Sequence, residues 1–157
     1  MLPTGKPDWW ESAREFLLQD ELLSPVVMQY PGECLSGKGD LFGTFVNSIV
    51  GQQISVVAAD AIWNRLKQKV GEITPQNISS FSSEEIASCG LTKSKTSYIL
   101  GVANDPDEFL SPNFSEMSDE EIHKHFTKFR GIGPWTSEML MIFSLLRPDI
   151  FSVGDIG

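Results

Sequence analysis

Apolar residues recur along most of this chain at the three-to-four-residue spacing of half-buried helices, and no segment shows the alternation of a strand. Trp9 to Leu23 reads as a first helix through Trp10, Phe16 and Leu17, ending near Ser24-Pro25. A Gly/Pro-containing connection spans Tyr30 to Asp40. Phe42 to Ser48 reads as helical, as does Ile54 to Val70, where Val57, Ala61, Trp63, Leu66 and Val70 suit one buried face. Thr74-Pro75 is a cap followed by proline at the first helical position. Ser82-Ser83-Glu84-Glu85 opens a short helix that Gly90 closes, and Thr92 caps Lys93 to Ala103. Ser118-Asp119-Glu120-Glu121 is a capping box leading into Ile122, Phe126 and Phe129. Pro134 starts a helix carrying Met139, Leu140, Ile142, Phe143 and Leu146, which Arg147-Pro148 ends. Asn104 to Asp119, with two prolines, reads as a loop. The expected class is all-α, a helical bundle with Trp63 and Tyr98 in its core.

Gly131-Ile132-Gly133 joins the helix ending at Phe129 to the one beginning at Pro134. Glycine reaches backbone angles other residues avoid, and it lets an anion approach without a Cβ in the way. The first N–H groups of the second helix have no partner within it and are positively polarised, which suits a phosphate. Ile132 can turn back to pin the two helices, and Thr136 and Ser137 can offer hydroxyls to the same phosphate. Held in this way, a nucleic-acid backbone is gripped by peptide dipoles more than by basic side chains. An ordinary tight corner between helices would use the same glycines.

Charge changes that picture. The net charge is −9, with 41% apolar and 21% charged residues, whereas proteins that hold nucleic acid usually gain strength from positive charge. The acids are concentrated in residues 8–21, 105–108 and 116–121, while 41–59, 86–104 and 122–137 contain none. Those last two carry Lys93, Lys95, Lys124, Lys128 and Arg130, so an acid-poor face can exist on an acidic protein. His123 and His125 flank Lys124 and are read as solvated. Cys34 and Cys89 are far apart and show no metal spacing, as expected of reduced thiols in a cytoplasmic, nucleoid or nuclear protein. Leu41 to Ala59 is uncharged but too polar to span a membrane, and no secretory signal pattern is present.

Three further blocks share the hairpin's order along the chain: Ile49-Val50-Gly51-Gln52-Gln53-Ile54-Ser55, Cys89-Gly90-Leu91-Thr92-Lys93-Ser94-Lys95, and Phe151-Ser152-Val153-Gly154-Asp155-Ile156-Gly157. Together they resemble the helix-hairpin-helix (HhH-GPD) DNA glycosylase superfamily, in its 3-methyladenine glycosylase II branch. The resemblance implies residues 41–157 as an incomplete glycosylase domain. Residues 1–40 would belong to a helical domain completed by C-terminal helices this chain lacks, so truncation is expected. It implies Asp155 as the catalytic aspartate, without the second acid many members carry, since Gly154 precedes it. Trp135 and Met139 would line the base pocket. DNA would be held by Gln53, Lys93, Lys95, Gly131, Ile132, Gly133 and Thr136, with Gln53 pushed into the gap left by the extruded nucleotide. Backbone carbonyls of Thr127, Phe129 and Ile132 would hold a structural Na+ or K+, and catalysis would need no cofactor. Gln52 is read as bonding backbone in its own turn.

The activity so implied is hydrolysis of the N-glycosidic bond of alkylated purines in double-stranded DNA, by base flipping and by a monomer. Trp135 stands where bifunctional glycosylase/lyases have a nucleophilic lysine, and an indole cannot form a Schiff base. Three alternatives stay open: a noncatalytic DNA-binding module, an endonuclease III-like glycosylase/lyase, and a helical protein-interaction domain.

Overall fold

A computed structural model describes residues 1–155, so Ile156 and Gly157 of the closing block lie outside the described residues. The chain is helical, as its periodicity requires. It opens with a strand of two residues, β1 (Thr4–Gly5), which pairs antiparallel with β2 (Gly37–Lys38). Strands this short carry too little alternation to be visible in sequence. Between them lie α1 (Trp10–Leu17) and α2 (Ser24–Met28). The single helix expected over Trp9–Leu23 thus stops at Leu17. The Asp20 carboxylate accepts from the Leu22 and Leu23 N–H groups at 2.8 and 3.0 Å, a side-chain-to-backbone turn that competes with the helix. Ser24-Pro25 therefore opens a helix instead of closing one, proline being favourable in a first turn.

Asp40 caps α3 (Leu41–Gly51), its carboxylate accepting from Gly43 N–H at 2.7 Å. This helix is the centre of the molecule: Leu41, Phe42, Phe45, Val46, Ile49 and Val50 are all buried, as in a helix apolar on most sides. It packs against α4 (Val56–Val70), α7 (Lys93–Asn104) and α10 (Pro134–Phe143). On α4 the expected face is half right. Leu66 and Val70 are buried and Trp63 packs on the core, but Ala61 is exposed and Val57 is 80% exposed. Periodicity defines a face but not how far along it a neighbour extends.

The capped helices follow their sequence signals. Thr74 caps α5 (Pro75–Ser79), a capping box of Ser82 and Glu85 starts α6 (Ser83–Ala87), and Thr92 caps α7. The expected loop 104–119 is largely structured instead, with α8 (Asp107–Leu110) and a 3-10 turn (Phe114–Glu116). Its two aromatics explain this, because Phe109 and Phe114 are buried and can be so only if their segment docks. Ser118 and Glu121 form the capping box of α9 (Asp119–Phe126).

Phe109 is the hub of an aromatic cluster, with ring centroids 5.1 Å from Phe45, 5.5 Å from Phe126 and 5.1 Å from Phe129. His125 belongs to the same cluster, against Phe114, Phe126 and Phe129. The expectation of two solvated histidines is corrected: His125 is buried, 8% exposed, while His123 is half-buried. Residues two apart on a helix face nearly opposite sides, about 200° around the axis, so the pair cannot share one environment. Among the described residues no helix is long and apolar enough to cross a membrane.

Burial pushes the His125 imidazole below its ordinary pKa, partly offset by a hydrogen bond with the Phe109 backbone. Lys128 lowers it further and Glu108 raises it. Because the folded state resists protonation, the unfolded chain binds the proton first as pH falls below about 6.5. Stability should be full above that pH and decline below it. Urea midpoints at pH 7.5 and 5.5, above the range where the capping glutamates titrate, should differ more for the wild type than for His125→Phe; equal differences would refute this account.

Candidate functional site

Three distant parts of the chain meet at one junction. The first is the hairpin, where α9 gives way to α10. Ile132 N–H donates to Phe129 O at 3.1 Å, and the Ile132 side chain is buried in the core, pinning the turn as expected. Gly131 adopts φ +92°, and a Cβ there would overlap the ring of Tyr98 on α7. Arg130 lies over the same ring, its guanidinium carbon 5.7 Å from the centroid. Gly133, at the cap position of α10, is different: its angles are ordinary, and a Cβ would meet nothing within 4 Å. No side chain caps α10, and Pro134 has no N–H to offer. The polarised start of this helix is therefore left to its backbone N–H groups, beside open space at Gly133.

The hydroxyls do not serve that end as expected. Thr136 is 2% exposed and its Oγ1 accepts from Gln52 Nε2 at 2.9 Å, while Ser137 is fully buried beside Met141. Both side chains turn inward, since positions three and four into α10 face the core.

The second part is the turn between α3 and α4. Gln52 does not bond within its own turn: its Nε2 donates to Gly131 O at 2.9 Å as well as to Thr136 Oγ1. Gln53, exposed, has φ +57°, a left-handed conformation that costs a residue other than glycine about 1–2 kcal/mol. Ile54 and Val56 beside it are also exposed.

The third part is α7. Lys93 is exposed at its first turn. Lys95 departs from the expectation of a phosphate contact: its ammonium turns inward and donates to Val50 O at 2.9 Å and Gln52 O at 2.8 Å. Burial lowers its pKa. The junction is thus built from the three stretches that contain no acid, residues 41–59, 86–104 and 122–137, although the protein as a whole is at −9.

Trp135 and Met139 lie one turn apart on α10, Trp135 half-buried and Met139 8% exposed. Between them Glu138 accepts a hydrogen bond from Ser152 Oγ, fastening the segment that leads to Asp155 onto the helix that carries Trp135. Asp155 is exposed, with its N–H donating to Ser152 O at 3.2 Å. Sequence reasoning missed Glu138, Ser152 and Tyr98 as parts of the site. The contacts that recruit them join residues 14 or more positions apart, which no local pattern reports.

The sequence model of "HhH-GPD superfamily base excision DNA repair protein" matches residues 46–157. The chain is 33% identical over 126 residues to DNA-3-methyladenine glycosylase 1 of Schizosaccharomyces pombe, covering 76% of this chain and 55% of that protein. Among solved structures it resembles the DNA-3-methyladenine glycosidase of Bacillus halodurans, at TM-score 0.72 and 34% identity over 92% of this chain and 69% of that one. The S. pombe 3-methyladenine DNA glycosylase in complex with abasic DNA gives TM-score 0.75 and 29% identity, over 92% and 75% of the two chains. The chain spans about half the length of the curated relatives it matches.

The two hairpin glycines should respond differently to alanine. Gly131→Ala should cost about 1–3 kcal/mol through its positive φ, with the overlap on Tyr98 in addition. Gly133→Ala should leave stability within about 0.5 kcal/mol, since a slightly poorer cap is offset by a stiffer unfolded chain. Urea denaturation of the two variants checks this, and equal losses would contradict it.

Proposed function

Because this chain belongs to the HhH-GPD superfamily of base excision DNA repair proteins, we propose that it is a monofunctional glycosylase releasing alkylated purines from double-stranded DNA. The observation that carries the reading is the Gln52 side chain, which ties the uncapped start of α10 to the turn that exposes Gln53. A phosphate seated at the N–H groups beside Gly133 and a side chain entering the duplex at Gln53 are then held at a fixed separation. Binding of this kind uses backbone dipoles in an acid-free region, which reconciles it with a net charge of −9. Lys93 adds an exposed positive charge. One chain carries every group named here, which supports action as a monomer.

The damaged base leaves the stack at a cost of a few kcal/mol, smaller for a damaged or mismatched pair. Gln53 fills the vacancy. The extruded base meets Trp135, whose electron-rich face favours a cationic alkylpurine by roughly 1–2 kcal/mol when desolvated. Met139 gives a soft, polarizable wall beside it. Alkylation already makes the base a good leaving group, so the work left to the protein is at the sugar. Asp155 stabilises the oxocarbenium-like sugar as the bond breaks and orients or deprotonates the attacking water. The product is an abasic site in an intact strand, and Trp135 supplies no amine for strand cleavage. Carbonyls of Thr127, Phe129 and Ile132 would hold a Na+ or K+ at the hairpin. The donor set fits, being neutral oxygens, with Phe129 O retaining a second lone pair beyond its bond from Ile132 N–H. Such an ion would add positive charge beside the phosphate.

Incubation with duplex DNA carrying a single 3-methyladenine or hypoxanthine, followed by hot alkali, should cleave the strand at the lesion. Asp155→Asn should lower base release at least about 100-fold. Strand cleavage before alkali would point to the lyase instead, and binding without release to the noncatalytic module.

A further inference from the structure

Lys95 is a charged side chain turned inward onto two backbone carbonyls, and its placement asks for an explanation other than exposure to solvent. Its ammonium bonds two carbonyls, Val50 O at the last turn of α3 and Gln52 O just beyond it. These oxygens belong to a helix end, where the final carbonyls have no partner within the helix. The next residue is Gln53, whose φ of +57° is unfavourable for a glutamine and persists only if its surroundings impose it. One turn further along α7, on the same face, Tyr98 occupies the space beneath Gly131 and packs on the core. One face of α7 thus supports the turn that exposes Gln53 through Lys95 and the hairpin through Tyr98, while Gln52 joins the two elements directly.

On the functional reading given above, we propose that Lys95 is a positioning residue: it caps the carbonyl end of α3 so that Gln53 keeps its left-handed backbone and enters the duplex at the register set by the hairpin. The lysine acts on DNA through Gln53 and neutralises no phosphate. Lysine suits the task because its four-carbon stem can lie along apolar surface while three donors at its tip serve two divergent oxygens. A phosphate contact and a carbonyl cap differ in a measurable way. Each phosphate neutralised contributes about 0.9 to the slope of log K against log salt concentration, whereas an internal cap contributes nothing.

Two readouts separate the roles. The first is the salt dependence of binding to a duplex with a tetrahydrofuran abasic-site analogue. The second is fluorescence, at saturating protein, of a 2-aminopurine placed beside that site, which rises when its stacking is broken. Lys95→Met should weaken binding about tenfold or more with the salt slope unchanged, and should reduce the fluorescence rise of the fully bound duplex. In a Gln53→Ala background Lys95→Met should reduce the rise no further, because both changes remove the same event. Lys95→Arg, which keeps donors at the tip, should retain most of the wild-type signal and also serves if the methionine variant does not fold. A slope shallower by about 0.9 in Lys95→Met, or in Lys95→Gln should Met not fold, would overturn the proposal by making Lys95 a phosphate contact. So would an undiminished fluorescence rise. A wild-type chain that binds no duplex would overturn the glycosylase reading and this inference together.

Discussion

The carbonyl oxygens at the C-terminal end of α3 must find donors, and the side chains that answer them organise the rest of the site. Val50 O and Gln52 O receive the Lys95 ammonium, and the Gln52 side chain in turn reaches Gly131 O and Thr136 Oγ1. A buried carbonyl left without a donor costs about 1–3 kcal/mol, and hydrogen bonds from a charged donor contribute about 1.5–3 kcal/mol. Those magnitudes are comparable with the strain at Gln53, so the network can hold a residue in a conformation it would otherwise leave. Desolvating the lysine works in the opposite direction, as its lowered pKa records. The bonds to two carbonyls are what make that burial tolerable.

Beneath this polar layer the same elements are fixed by apolar packing. Ile132 anchors the hairpin, and the cluster of Phe109, Phe126, Phe129 and His125 supports the helix that enters it. The division of labour is physical. Close-packed rings set where α9 lies, because cores resist small displacements. Directional bonds of Gln52 and Lys95 set the finer relation between the hairpin and the exposed turn. The stretches that form this junction, residues 41–59, 86–104 and 122–137, contain no acid, although the protein as a whole carries a net charge of −9.

Much of the fold was legible in sequence. The caps at Thr74, Ser82, Thr92 and Ser118 were read correctly because a cap is a contact between residues three apart, written whole in a short segment. The pinned hairpin with glycine at φ +92° was legible for the same reason. What failed was coverage: Val57, Ala61, His125 and the 104–119 segment were misread because burial depends on which neighbour arrives, and periodicity does not say.

The sequence by itself determined that this chain is helical, where most helices start and end, and that a Gly-Ile-Gly turn precedes the helix opened by Pro134. Each of these follows from interactions within a few residues. Only the tertiary structure decided that Lys95 faces two carbonyls instead of solvent, that Thr136 turns inward to Gln52, and that Gly131 is required by Tyr98 while Gly133 faces open space. It also decided that three acid-free stretches converge. The reason is that a polar side chain takes the strongest unsatisfied partner within reach, and for residues separated by 43 or 79 positions that partner exists only after the helices have packed.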